Sequence, residues 1–214
     1  MLSECSSGGR DLNKGSRRQP MKCLWSSWRE VGFKLLDLGS SLIRPLVREN
    51  HYWLLESVVH DLRLYADKKI QLKQTDDKTL SELVKQQIGV DAWCWDRRFW
   101  YASLTDFKTM VSEDFTNRLT WLAESFDCDN FASLFCSLLS LVWGYNGVGV
   151  ALGAVLDKGS KNVVGYHAYN CVLVEEDSKR VLCLYEPQSD FLALAERETN
   201  MDWSIYRTDL VLFY

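Results

Sequence analysis

The chain has no surplus of positive charge: 25 Lys and Arg stand against 29 Asp and Glu, a formal net charge of −4. Without a basic excess to neutralise phosphates, a nucleic-acid partner of the ordinary electrostatic kind is excluded. No Cys-x-x-Cys pair occurs among the seven cysteines, at positions 5, 23, 94, 128, 136, 171 and 183. Neither a zinc ribbon nor a thioredoxin motif is therefore indicated, and an odd count without framework spacing does not make a disulfide scaffold. Reduced thiols in a cytoplasmic setting are the expectation. The N-terminus lacks the basic-then-apolar order of a signal peptide, and no uncharged stretch reaches membrane-spanning length. Residues 134–155 come nearest, but Gly144-Tyr145-Asn146-Gly147 interrupts them. Histidine is scarce as well. His51 and His60 have no second ligand in register, which leaves them as ordinary boundary residues.

What is present suffices for a sizeable core: 47% of residues are hydrophobic and 25% charged. Nine Trp, nine Tyr and nine Phe are a heavy aromatic load, read as filling contacts between packed elements. Residues 1–20 are rich in Ser, Gly, Arg and Lys and read as a disordered tail, with Met21 an alternative start. Residues 21–89 read as a helical extension. In it Leu24, Trp28, Val31, Leu35, Leu38 and Leu42 form an amphipathic stripe that Pro45 ends. Packing on the domain or on a protein partner through helices 21–66 is preferred to a membrane-surface role, because the polar face is not notably basic. Asn50 caps a second helix, 68–78 reads as a polar loop, and 79–88 as a short helix stopped by Gly89.

Residues 90–214 read as the catalytic domain. An aromatic cluster at 93–101 is assigned to packing rather than to a cleft. Helices are expected at 103–111 and 114–124. Strands follow at 148–156, 163–174, 181–186 and 205–214, with a hairpin tip near Ser178-Lys179. Helices first and an antiparallel sheet afterwards make the expected class α+β.

The stretch Phe126-Asp127-Cys128-Asp129-Asn130-Phe131-Ala132 stands out. Asp127 is a good N-cap, which makes Cys128 the first helical residue. There the exposed amides and the helix dipole favour a thiolate, as a nucleophile requires. Cys136, Cys171 and Cys183 lie in apolar runs and read as small buried hydrophobes. Downstream, His167 sits inside a largely apolar strand, and Glu186 closes the next strand before Pro187. If the two strands form a hairpin, Glu186 reaches the His167 ring. Thiolate, imidazole and an orienting carboxylate are the parts that covalent thiol catalysis needs. Asn170, three residues beyond His167, points to the opposite strand face and ranks below Glu186 as the third member.

The motifs at 126–132, at 165–170 (Gly-Tyr-His-Ala-Tyr-Asn) and at 186–188 (Glu-Pro-Gln) resemble the papain-like domain of the Marasmius oreades agglutinin and related bacterial and phage domains. The resemblance covers residues 90–214. It implies a papain-like fold, in which a helical layer carries the nucleophile and packs on an antiparallel sheet. It also implies a cysteine peptidase acting on a peptide or protein, with Cys128 as nucleophile, His167 as general base and acid, and Glu186 orienting the imidazole. No cofactor is required. Calcium enters by resemblance alone, with Asp127, Asp129 or Glu186 as unassigned ligands. The lectin part of the agglutinin is not carried over, and Leu122 stands where papain has its glutamine. The alternatives are another thiol acyl transferase or amidase with the same triad, and a non-enzymatic phage- or virus-type accessory module that keeps the scaffold.

Overall fold

A computed structural model describes residues 70–214. The stripe at 24–42, the second helix, His51, His60 and the proposed partner-binding arm lie outside the described residues. The polar stretch expected to be a loop contains strand β1 (Lys73–Asp76). Asp76 then caps helix α1 (Asp77–Gln87), its carboxylate accepting the Thr79 amide at 2.7 Å. The Gln87 side chain donates to the Leu182 and Ala195 carbonyls and accepts from the Leu182 amide. These bonds tie α1 to the sheet, so residues 73–87, which the sequence reading placed in the helical extension, are packed within the described unit.

The cluster at 93–101 packs in part, through Phe99 and Tyr101. It forms strands β2 (Ala92–Cys94) and β3 (Arg98–Ser103). Alternation buries Phe99 and Tyr101 and leaves Trp93, Trp95 and Trp100 exposed. Ser103 caps helix α2 (Leu104–Glu113), its hydroxyl accepting the Asp106 amide. The helix expected at 114–124 is replaced by a single 3-10 turn, Thr116–Arg118. There the Asp114 carboxylate accepts both the amide and the hydroxyl of Thr116, and this local bonding competes with a helix. A tight turn follows, with Leu122 bridged to Phe126 and Glu124 at φ 58°.

Helix α3 (Cys128–Trp143) is the longest of the three and ends at Gly144, whose left-handed φ of 68° suits a residue without a Cβ. Its Phe131, Ala132, Phe135, Cys136, Leu139 and Val142 are buried, and the helix packs on β4 (Val148–Leu156) and β5 (Val163–Glu176). Strands β6 (Lys179–Glu186), β7 (Phe191–Leu194), β8 (Glu198–Asn200) and β9 (Ile205–Phe213) complete one sheet of nine strands. Its main path runs β1-β3-β5-β4-β9-β2, with β6 and β7 continuing from β5 and β8 from β9.

The expected papain-like class is corrected here. Among the described residues nine strands dominate three helices, and the sheet is mixed, because β2 pairs parallel with β9 and β3 parallel with β5. The misreading comes from the short strands at 73–76, 92–94 and 98–103. They carry too few residues to display a period of two, and their pairings are long-range.

Gly153 shows how tightly the centre is drawn. The β4–β9 register shifts between Leu152 and Gly153, and a Cβ on Gly153 would lie 1.9 Å from the Arg207 carbonyl oxygen. Only glycine admits so close an approach. Gly153 is also the direct partner of His167 across β4–β5, so the pinch brings β9 up to the histidine.

Candidate functional site

Each of the three residues singled out from the sequence is held by a different element. Cys128 is the first residue of α3, and its helix start is closed in two ways. Asp127 and Asn130 form a reciprocal capping box, with the Asn130 side chain accepting the Asp127 amide at 3.1 Å. Phe126 packs on Phe131 at 4.7 Å between ring centroids, the apolar staple that fixes the entry angle of such a helix. The amides of Cys128 and Asp129 then have no carbonyl within the helix to bond, and they aim outward with the positive end of the dipole.

His167 lies in β5 with its side chain 13% exposed. Glu186 ends β6 and is 3% exposed, and the β5–β6 hairpin brings it to the ring: His167 Nε2 lies 2.6 Å from Glu186 Oε2. The other carboxylate oxygen, Oε1, accepts the Gln188 amide at 3.2 Å. With Nε2 committed to Glu186, Nδ1 is the ring nitrogen left to face the Cys128 thiol, which the neighbouring imidazole influences electrostatically. The structure therefore brings Cys128, His167 and Glu186 into one neighbourhood, with His167 hydrogen-bonded to Glu186 and Cys128 beside the ring. Asn170 is not part of it. Its amide is fully buried and donates to the Ala132 and Gly149 carbonyls, on the α3 side of the strand.

The electrostatics follow from this geometry. The His167 side chain lowers the Cys128 pKa against the opposing effect of burial, and the Ala168 amide helps. Burial disfavours a charged His167, yet Cys128 and Glu186 beside the ring outweigh it and raise the imidazole to about 9. A lowered thiol beside a raised imidazole is the direction that favours moving the proton from sulfur to ring. The contrast with the other cysteines is large. Burial pushes Cys136 up to about 12 and Cys183 up to about 11, and raises Cys171 as well.

Three aromatic side chains around the imidazole were not singled out from the sequence. Tyr206 stands edge-on to it at 5.2 Å, Tyr169 lies at 6.0 Å, and Trp203 at 6.4 Å. Tyr206 also donates its hydroxyl to Glu186 Oε2 at 2.9 Å. Trp203 is 59% exposed, on a loop that Lys158 anchors through the Met201 and Asp202 carbonyls. Tyr169 lies two residues beyond His167 on β5, whereas no local motif marks Tyr206 and Trp203, which meet His167 through the pairing of β9 with β4. Gly165, read as making room for a ligand or a second backbone, has no atom within 4 Å of where its Cβ would be, so no backbone fills that space.

Asp127, Cys128 and Asp129 present ligand atoms within 4.8 Å of one another. The Asp127 carboxyl is raised by its hydrogen bond to Asp129, with the charges of Asp129 and Glu124 adding to the effect. Two carboxylates supply few of the six to eight oxygens that calcium takes, and the thiol is a poor ligand for so hard an ion. No step below runs through a metal. Among the described residues no helix is long and apolar enough to cross a membrane.

No family model and no curated protein matches the chain. Two solved structures are similar over 65% of it. One is titled as a PSL1a–E64 complex, at 21% identity and a TM-score of 0.45. The other is the Polyporus squamosus lectin bound to a human-type influenza-binding epitope, at 19% identity and a TM-score of 0.47. The chain spans about half the length of each, 51% and 49%. The expected kinship with papain-like proteases is corrected: no family model or curated protein supports it, and the solved neighbour named by kind is a lectin. The cysteine-peptidase assignment, the peptide substrate and the phage kinship rested on that resemblance and are withdrawn with it. At such identities and scores the neighbours place no function on this chain.

Proposed function

We propose that Cys128, His167 and Glu186 form a nucleophilic thiol centre for acyl transfer, as in a thiol acyl transferase or amidase. The observation that carries the reading is the hydrogen bond from His167 to the buried Glu186, with the helix-start thiol of Cys128 beside the same ring. In the reaction, the Cys128 thiolate attacks an acyl carbonyl carbon and forms the S–C bond. The bond to the leaving group breaks, and that group departs with the proton held by His167. An acceptor nucleophile then attacks the thioester, gives its proton to His167 and releases Cys128. The outward amides of Cys128 and Asp129 are suited to hold the carbonyl oxygen as its negative charge develops.

The test is a trapped intermediate. Incubation with an activated ester, such as a p-nitrophenyl acylate, followed by acid quench and peptide mass spectrometry, is expected to show an acyl group on Cys128. Cys128→Ala should show none there, with a melting temperature within about 2 °C of the parent. The epoxide E64, a thiol-alkylating electrophile, is a second probe and should label the same residue. An unacylated Cys128 in a protein that binds a sialylated glycan would overturn the proposal. It would establish instead the non-enzymatic module that keeps the scaffold.

A further inference from the structure

Glu186 Oε2 receives two donors, His167 Nε2 at 2.6 Å and the Tyr206 hydroxyl at 2.9 Å. Tyr206 is fully buried, and its ring stands edge-on against the imidazole. A tyrosine buried in this way has to spend its hydroxyl on an acceptor, and of those nearby it takes the one that the histidine also uses. Two donors on one carboxylate oxygen compete: each draws negative charge and weakens the bond of the other. The Tyr206 bond is stronger when His167 is neutral, because Glu186 then carries charge that no imidazolium offsets. That bond therefore favours the neutral ring and holds down the proton affinity of the pair.

From this shared oxygen we infer that Tyr206 is a positioning residue that fixes the Glu186 carboxylate and tempers the basicity of His167. The inference rests on the acyl-transfer reading of the same centre. The consequence is chemical. His167 must accept a proton from the thiol and later surrender it to a leaving group, and an imidazole bound too firmly to its proton does the second poorly. Glu186 alone drives His167 toward the charged form, and Tyr206 opposes it. The hydroxyl also leaves Oε2 less free to rotate, so the ring keeps the orientation that aims Nδ1 at Cys128.

Tyr169 provides a control within the molecule. Its ring lies 4.8 Å from that of Tyr206, and its hydroxyl bonds Thr208 at 2.9 Å, with no bond to Glu186. Removing either hydroxyl takes a buried polar group from the same cluster, but only one of them is on the carboxylate. The experiment follows the His167 imidazole by NMR across pH in the full-length parent, Tyr206→Phe and Tyr169→Phe, with iodoacetamide labelling of Cys128 read in parallel. Tyr206→Phe is expected to move the His167 midpoint upward by about half a pH unit or more, a fraction of what one hydrogen bond to a charged group is worth. Tyr169→Phe should leave it in place. An unmoved midpoint in Tyr206→Phe, or equal shifts in both variants, would overturn the inference. Should Tyr206→Phe fail to fold, 3-fluorotyrosine incorporation, which strengthens the phenol as a donor, should move the midpoint down. No movement there would overturn the inference equally. An inert Cys128 in the parent protein counts against the acyl-transfer reading itself. A reactive Cys128 with an insensitive His167 counts only against the role of Tyr206.

Discussion

Thiol reactivity in this chain is decided by what each sulfur faces. Cys128 stands at a helix start beside the His167 imidazole, which lowers its thiol, whereas Cys136, Cys171 and Cys183 face apolar core, and their thiols are raised by burial. This difference was legible in part. The acidic cap, the helix start and the apolar surroundings of the other cysteines are all local in sequence. Glu186 was legible as well, because the hairpin between β5 and β6 is marked by its turn residues. Tyr206 was not, since three strand pairings, β9–β4, β4–β5 and β5–β6, bring it to Glu186 and no short-range pattern encodes them. The charge on Glu186 is needed to keep the proton on His167. Glu186→Gln should therefore lower the His167 titration midpoint and slow Cys128 alkylation at pH 6, while circular dichroism remains native. Alkylation as fast as in the parent would show that Glu186 is only a structural partner.

Among the elements, α3 matters most, because it sets the nucleophile at one end and fills the core along its length. Phe135 is fully buried, stacked near Tyr185 at 4.5 Å and edge-on to Phe107. Phe135→Ala should cost about 3–5 kcal/mol in denaturant unfolding, the usual loss for a large aromatic removed from a core. A loss under about 1 kcal/mol would mean that the helix is not packed as described. The turn after α2 carries a pH signature. Asp114 is buried, and burial raises its carboxyl to about 6 despite bonds from Thr116. The folded state therefore binds more protons than the unfolded state between about pH 4 and 6, so this residue lowers stability as pH rises through that window. Asp114→Asn should remove that part of the slope, no more than about 3 kcal/mol, in urea titrations at pH 4 and pH 7. The helix expected at 114–124 failed for the same reason. Asp114 spends its carboxylate on Thr116, and apolar spacing says nothing about that local competition.

For the whole molecule, the sequence pattern suggested helices before strands, whereas β1, β2 and β3 interleave with the helices, and neither the size nor the mixed direction of the sheet was legible. The long strands β4, β5 and β9 announce themselves by their β-branched and aromatic runs. Strands β2 and β3 do not, because they are short, carry exposed tryptophans and pair in parallel with distant partners. One hydrophobic core links α1, α2 and α3 to strands from β3 to β9. The described unit should therefore unfold cooperatively, with tryptophan fluorescence and far-ultraviolet circular dichroism giving coincident urea midpoints. Separated midpoints would show that the β1–α1 segment folds independently of the rest.

The central claim is that Cys128 is a poised thiolate, and its alkylation as a function of pH tests that most directly. Native protein is treated with iodoacetamide from pH 4 to 10, and modification at each of the seven cysteines is quantified by mass spectrometry. The account predicts that Cys128 reacts at mildly acidic pH, well below the range of an ordinary thiol and ahead of the other six. A Cys128 that reacts only near pH 8–9, in step with an unperturbed thiol, would contradict it.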